Sequence, residues 1–210
     1  MNKILDLKKI KEAKVNKEAF PFFSVSNVFL NNKITKDLTK DFPEILKGGS
    51  FPSESLTAGP SFKKLIEELE SKELKQLLES KFNLNLSNSS VVTTVRGISR
   101  KRDGKIHSDS KTKLVTVLIY LNEGWDKKTG LLRMLKDSSN IENFLYETPA
   151  TMGSLIAFKV EPNCWHGYLP YIGKRKSIQL NYLNQDSLLS HRARHKISFL
   201  IKKFSSRLGL

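Results

Sequence analysis

From Phe20 onward, apolar and polar positions divide the chain into a helical first half and a strand-rich second half. Phe20-Pro21-Phe22-Phe23-Ser24-Val25 reads as an opening strand, after which Ile34, Leu38 and Phe42 recur every four residues, the spacing of one helix face. Gly48, Gly49, Pro52 and Pro60 punctuate a loop. Phe62, Leu65, Ile66 and Leu69, then Leu74, Leu77, Leu78 and Phe82, predict an amphipathic helical stretch interrupted near Ser71. From Val91 the runs become strand-like, at 91–99, 105–108, 114–121, 131–135, 154–160 and 175–183. Short strands in succession, with no helical pattern between them, predict an antiparallel sandwich or barrel. Asp103-Gly104 has hairpin-turn chemistry, which would return Ile106 and His107 beside the preceding strand. After Asp186 the pattern turns helical and basic. Ile197, Leu200, Ile201, Phe204 and Leu208 share one face there, expected to pack on this subunit or on a second copy in a homodimer.

A chain of 210 residues, 39% apolar and 27% charged, fits one domain over 1–210, with a motif-bearing core at about 91–184 and a helical extension at about 187–210. The single cysteine, Cys164, excludes a disulfide framework and a cysteine-built zinc site, and reads as a small buried hydrophobe. No apolar run approaches the roughly 18 residues that span a bilayer, and the lysine-rich N-terminus has no secretory pattern, so a cytoplasmic protein is expected. A net charge of +15 would attract an anionic substrate or a nucleic acid. Outside the C-terminus, however, the lysines are scattered and no nucleic-acid-binding signature is present, so a solvated basic surface is the preferred reading.

Metal chemistry must therefore rest on histidine and carboxylate. In His107-Ser108-Asp109 an extended backbone would send both flanking side chains to one face, and His166 lies far enough along for another strand to bring it opposite. Two histidines and one carboxylate around an ion are the pattern of non-haem Fe(II) oxygenases. Downstream, Arg175, Ser177, Gln179 and Asn181 share one strand face while Ile178, Leu180 and Tyr182 share the other. Such a polar face either lines a ligand cavity, with Arg175 and Ser177 on a carboxylate, or faces water. Arg96, Arg100, Arg133 and Trp165 flank the presumed cavity as candidate substrate contacts. His191 and His195, spaced i, i+4 among arginines, read as a solvated helical face.

The stretch from Arg96 to Asn184 resembles the prolyl 4-hydroxylase-like branch of the 2-oxoglutarate and Fe(II)-dependent oxygenases. The likeness rests on the Asp-Gly turn before His107-Ser108-Asp109, Leu118-Ile119-Tyr120-Leu121-Asn122, Trp125, Gly130-Leu131-Leu132-Arg133, Trp165-His166-Gly167 and Gly173-Lys174-Arg175-Lys176-Ser177. A weaker likeness covers 20–46. The resemblance implies a mainly β protein with flanking helices, a cupin-like double-stranded β-helix (jelly roll) with N-terminal helices packed on one sheet. It implies Fe(II) on His107, Asp109 and His166, and 2-oxoglutarate with its far carboxylate on Arg175, helped by Tyr120. O₂ would be the second co-substrate, and the reaction hydroxylation of a small molecule, a sugar or a protein side chain. The chain departs from its relatives at Thr129-Gly130, where a Gly-Gly pair is usual, and at Arg100-Lys101-Arg102. Two other classes compete: a non-catalytic jelly-roll binder, which has no need of all four residues, and a nucleic-acid-directed protein.

Overall fold

A computed structural model describes residues 3–184. Four helices form in the first half: α1 (Leu7–Glu12), α2 (Asn32–Asp41), α3 (Pro60–Leu69) and α4 (Lys72–Phe82). Their ends are set locally. The Asn31 side chain accepts the Ile34 N–H at the start of α2, and Pro60 occupies the first turn of α3, where a missing N–H costs nothing. Ser71 accepts from Leu74 N, so the interruption there is a capped boundary between two helices, and Asn83 closes α4 in the left-handed conformation.

The strands are β1 (Phe22–Val25), β2 (Phe51–Pro52), β3 (Ser90–Ser99), β4 (Lys113–Tyr120), β5 (Leu132–Leu135), β6 (Phe144–Thr148), β7 (Leu155–Lys159), β8 (His166–Gly167) and β9 (Gly173–Leu183). A six-stranded sheet runs β1-β7-β4-β9-β3-β2 and a three-stranded sheet runs β6-β5-β8, all pairs being antiparallel. The two-residue alternation of β4 and β9 builds two cores. Val115, Val117, Ile119, Ile178, Leu180 and Tyr182 pack outward with Phe62, Leu65, Leu69, Leu74, Leu78 and Phe82 of the helices. On the opposite face Leu118 and Tyr120 join Phe22, Leu132, Met134, Ile156 and Phe158 between the sheets. This is the expected jelly roll with helices covering one sheet.

The hairpin expected at Asp103-Gly104 does not form. β3 pairs instead with β9, placing Arg96 opposite Ser177, and residues 105–108 make only a bridge between His107 and His166. Gly104 explains the departure. It sits at φ +88°, its carbonyl accepts the Tyr168 N–H at 2.8 Å, and a Cβ there would lie 2.5 Å from the Tyr168 ring. The turn therefore hands the chain across to the smaller sheet. Helix α1 and strands β2, β6 and β8 were not expected, β2 falling where a loop was read, and the basic segment after Asp186, with His191 and His195, lies outside the described residues. Among those described, no helix is long and apolar enough to cross a membrane.

Candidate active site

Between the sheets lies a cavity of about 290 Å³, lined on β4 by Thr116 and Leu118 and on β9 by Arg175, Ser177 and Gln179. His107 and His166 line it from the opposite side. The His107–His166 bridge is a double one, each residue donating its N–H to the other's carbonyl at 3.0 Å, and it holds the two rings 4.3 Å apart between centroids. One ligand atom from each of His107, Asp109 and His166 falls within 4.8 Å of the others.

Hydrogen bonding fixes how these groups present themselves. Nδ1 of His107 lies 2.8 Å from the Lys105 carbonyl, and Nδ1 of His166 lies 2.7 Å from the Cys164 carbonyl. A carbonyl only accepts, so both Nδ1 atoms carry the proton and both Nε2 lone pairs are left for a metal, the tautomer that metal-ligating histidines show. Burial, together with the neighbouring His107, pushes the His166 pKa down to about 4, so the ring stays neutral. At Asp109, burial pulls the pKa upward. The Lys113 ammonium, 2.7 Å from Oδ1, and the Thr116 hydroxyl, 2.6 Å from Oδ2, prevail with His166, so the carboxyl lies below its usual range. Each carboxylate oxygen keeps a second lone pair. Neutral imidazoles and an ionised carboxylate suit a divalent transition metal, and Fe(II) fits this donor set.

Arg175 lies buried in the same cavity. Its Nε donates to the Gly130 carbonyl at 2.7 Å and one terminal nitrogen to the Tyr120 hydroxyl at 2.6 Å, and the guanidinium lies over the Tyr120 and Tyr168 rings. Burial raises the Tyr120 pKa, so the phenol keeps a proton it can donate. Among the described residues nothing bonds Ser177 Oγ, although this atom is fully buried. A buried guanidinium without a carboxylate partner, beside an unsatisfied hydroxyl and a protonated phenol, fits one end of a dicarboxylate. The Gly130 carbonyl is itself held in place. Gly130 has φ +77° and packs on Trp125 and Tyr171, and the Trp125 indole donates to Thr129 O at 3.1 Å.

The other expected contacts divide. Arg96 lines the cavity. Arg133 does not: it pairs with Glu147 at 2.6 Å and Glu142 at 2.8 Å. Arg100 chelates Asp103, and neither Arg100 nor Trp165 lines the cavity. Sequence reasoning missed Tyr168, Thr116 and Lys113. Tyr168 carried a signal, standing two residues after His166 and hence on the same face.

The prolyl-4-hydroxylase from Pseudomonas putida superposes with a TM-score of 0.52 at 14% identity, over 78% of this chain and 92% of that one. The prolyl 4-hydroxylase from Phytophthora capsici gives 0.57 at 15%, over 88% and 67%. This chain shares the jelly-roll fold of these two proteins. HygX from Streptomyces hygroscopicus, solved with nickel and 2-oxoglutarate bound, superposes with a TM-score of 0.54 at 11% identity, over 79% of this chain and 83% of that one. No family model and no curated protein matches the sequence.

Proposed function

We propose that this protein is an Fe(II)- and 2-oxoglutarate-dependent oxygenase. The observation that carries the reading is one cavity lined by two Nε2-presenting histidines and a buried arginine with no carboxylate of its own, with an ionised aspartate whose ligand atom lies within 4.8 Å of both histidines. His107, Asp109 and His166 would hold Fe(II). Arg175, Tyr120 and Ser177 would hold the far carboxylate of 2-oxoglutarate, the arginine through a charge-assisted fork and the two hydroxyls by donation. Leu118, Leu132 and Phe158 give the cavity apolar walls that limit water around the reacting centre. Fe(II) with 2-oxoglutarate and O₂ supplies oxidative decarboxylation to succinate and CO₂, coupled to hydroxylation of a substrate C–H bond. Prolyl 4-hydroxylases and HygX with 2-oxoglutarate bound are the structural neighbours that support this reading.

The test is calorimetric titration of metal-free protein with Ni(II), then with 2-oxoglutarate under nitrogen. Metal binding is expected in the wild type, with tight 2-oxoglutarate binding only after metal. His107→Ala, Asp109→Ala or His166→Ala should each weaken metal binding by roughly ten- to a hundredfold or more. Unchanged affinity in all three would remove the metal assignment.

A further inference from the structure

Arg96 is the half-buried cation on the cavity wall that the oxygenase reading leaves without a task, and its setting is unusual. It makes no hydrogen bond and no ion pair with any described residue. Asp103, a carboxylate that lines the same cavity, is already committed to Arg100, whose Nε and terminal nitrogen reach it at 3.1 and 2.9 Å. Burial weighs against the Arg96 charge. Tyr168 and Asp103 relieve part of that cost, and the like charges of Arg175 and Arg100 add to it.

The backbone aims the side chain where it is. Register slips between Arg96 and Ile98, and the intervening Gly97 leaves no room for a side chain, since a Cβ there would lie 2.7 Å from Ile45. A bulge of this kind re-aims the residue beside it. Arg96 stands opposite Ser177 in the β3–β9 ladder, next to the Arg175 end of the cavity. Arg102 and Lys105, both exposed, carry positive charge along the mouth on the same 96–105 segment. A half-buried guanidinium that makes no hydrogen bond or ion pair with the described residues, at the end of a cationic approach, is a receptor for an oxyanion.

Resting on the oxygenase reading, we propose that the substrate to be oxidised carries an oxyanion, a carboxylate or a phosphate ester, which Arg96 grips while Arg102 and Lys105 draw it in. The 2-oxoglutarate dianion is already accounted for, one end on Arg175 with Tyr120 and Ser177 and the other at the metal. Arg96 therefore serves a second anion.

The probes are inorganic phosphate, acetate and uncharged acetamide, titrated by calorimetry into full-length protein loaded with Ni(II) and 2-oxoglutarate. Phosphate or acetate should bind and acetamide should not. Arg96→Gln should weaken that anion roughly thirtyfold or more, the loss usual for truncating one partner of a buried charge pair. Arg96→Lys, which keeps the charge and loses the planar fork, should fall between the two. Thermal unfolding of both variants checks that they are folded. Anion affinity equal in wild type, Arg96→Gln and Arg96→Lys would overturn the proposal. So would an Arg96→Gln loss of 2-oxoglutarate affinity as large as that of Arg175→Gln, which would put Arg96 in the co-substrate site. Failure of wild-type protein to take up 2-oxoglutarate would instead overturn the oxygenase reading, and the phosphate titration of Arg96→Gln is then read on metal-free protein.

Discussion

Ser177 separates a ligand site from a structural one at the level of a single atom. Its buried Oγ has no partner among the described residues, a state that costs folding free energy and that a bound carboxylate would relieve. Ser177→Ala should therefore stabilise the ligand-free protein by roughly 1 kcal/mol in denaturant titration while weakening 2-oxoglutarate. Arg175→Ala should cost about 2 to 5 kcal/mol of 2-oxoglutarate affinity. Tyr120→Phe should cost less, about 1 to 2 kcal/mol. A reversed ranking by calorimetry would remove Arg175 as principal anchor. His166 gives a pH signature. In metal-free protein its folded pKa of about 4 lies below the ordinary 6.5, so the unfolded chain binds the proton first. Stability is then lost as pH falls from about 6.5 to about 4, by something on the order of 3 kcal/mol. His166→Gln should flatten that slope in unfolding measured with chelator at several pH values, and parallel profiles would contradict it. The four principal residues were picked out in the sequence by the order and spacing of motifs shared with a known family, whereas alternation alone left the Arg175 face between a cavity and water. Arg133 and Arg100 were not separable from Arg96, since their partners Glu147, Glu142 and Asp103 meet them only through cross-strand register and a turn.

Among the elements, the loop entering β5 does for Arg175 what a capping residue does for a helix. Trp125 closes it, Gly130 turns it, and the Gly130 carbonyl receives the Arg175 Nε. Gly130→Ala would put a Cβ 2.8 Å from the Trp125 ring at φ +77°. A loss of about 1 to 2 kcal/mol of stability is expected from the left-handed backbone alone. Weaker 2-oxoglutarate binding should accompany it, measured by thermal unfolding and calorimetry on the same sample. Unaltered 2-oxoglutarate affinity would show that the loop does not position Arg175. Longer elements were legible where one period ran for several residues, as in α2, α3, α4, β3, β4, β7 and β9. β8, two residues long, is too short to show a period, and the 105–108 stretch reads as a strand although it makes only one bridge. The Asp103-Gly104 signal was correct for a turn and silent about direction, which Tyr168 decides from the far side of the cavity.

At the scale of the described residues, two opposing sheets support the two ends of one cavity. The helices seal the outer face of the six-stranded sheet, so its inner face can be polar at β9 without exposing the core to water. The smaller sheet carries β8 and, through the bridge, His107, so the two histidines and Arg175 approach the cavity from opposing sheets. That closure was legible only as a fold class, because it depends on pairing between residues as distant as Arg96 and Ser177. The central claim of the proposed function is a coupled site, in which metal and 2-oxoglutarate would be used together. The most direct measurement follows succinate and CO₂ release from labelled 2-oxoglutarate in air, without added substrate, for wild type, His166→Ala and Arg175→Ala. Slow turnover that requires Fe(II), stops under nitrogen and vanishes in both variants is the expected result. Turnover indifferent to Fe(II) or surviving in His166→Ala, or no turnover in wild-type protein that has bound both metal and 2-oxoglutarate, would contradict the account.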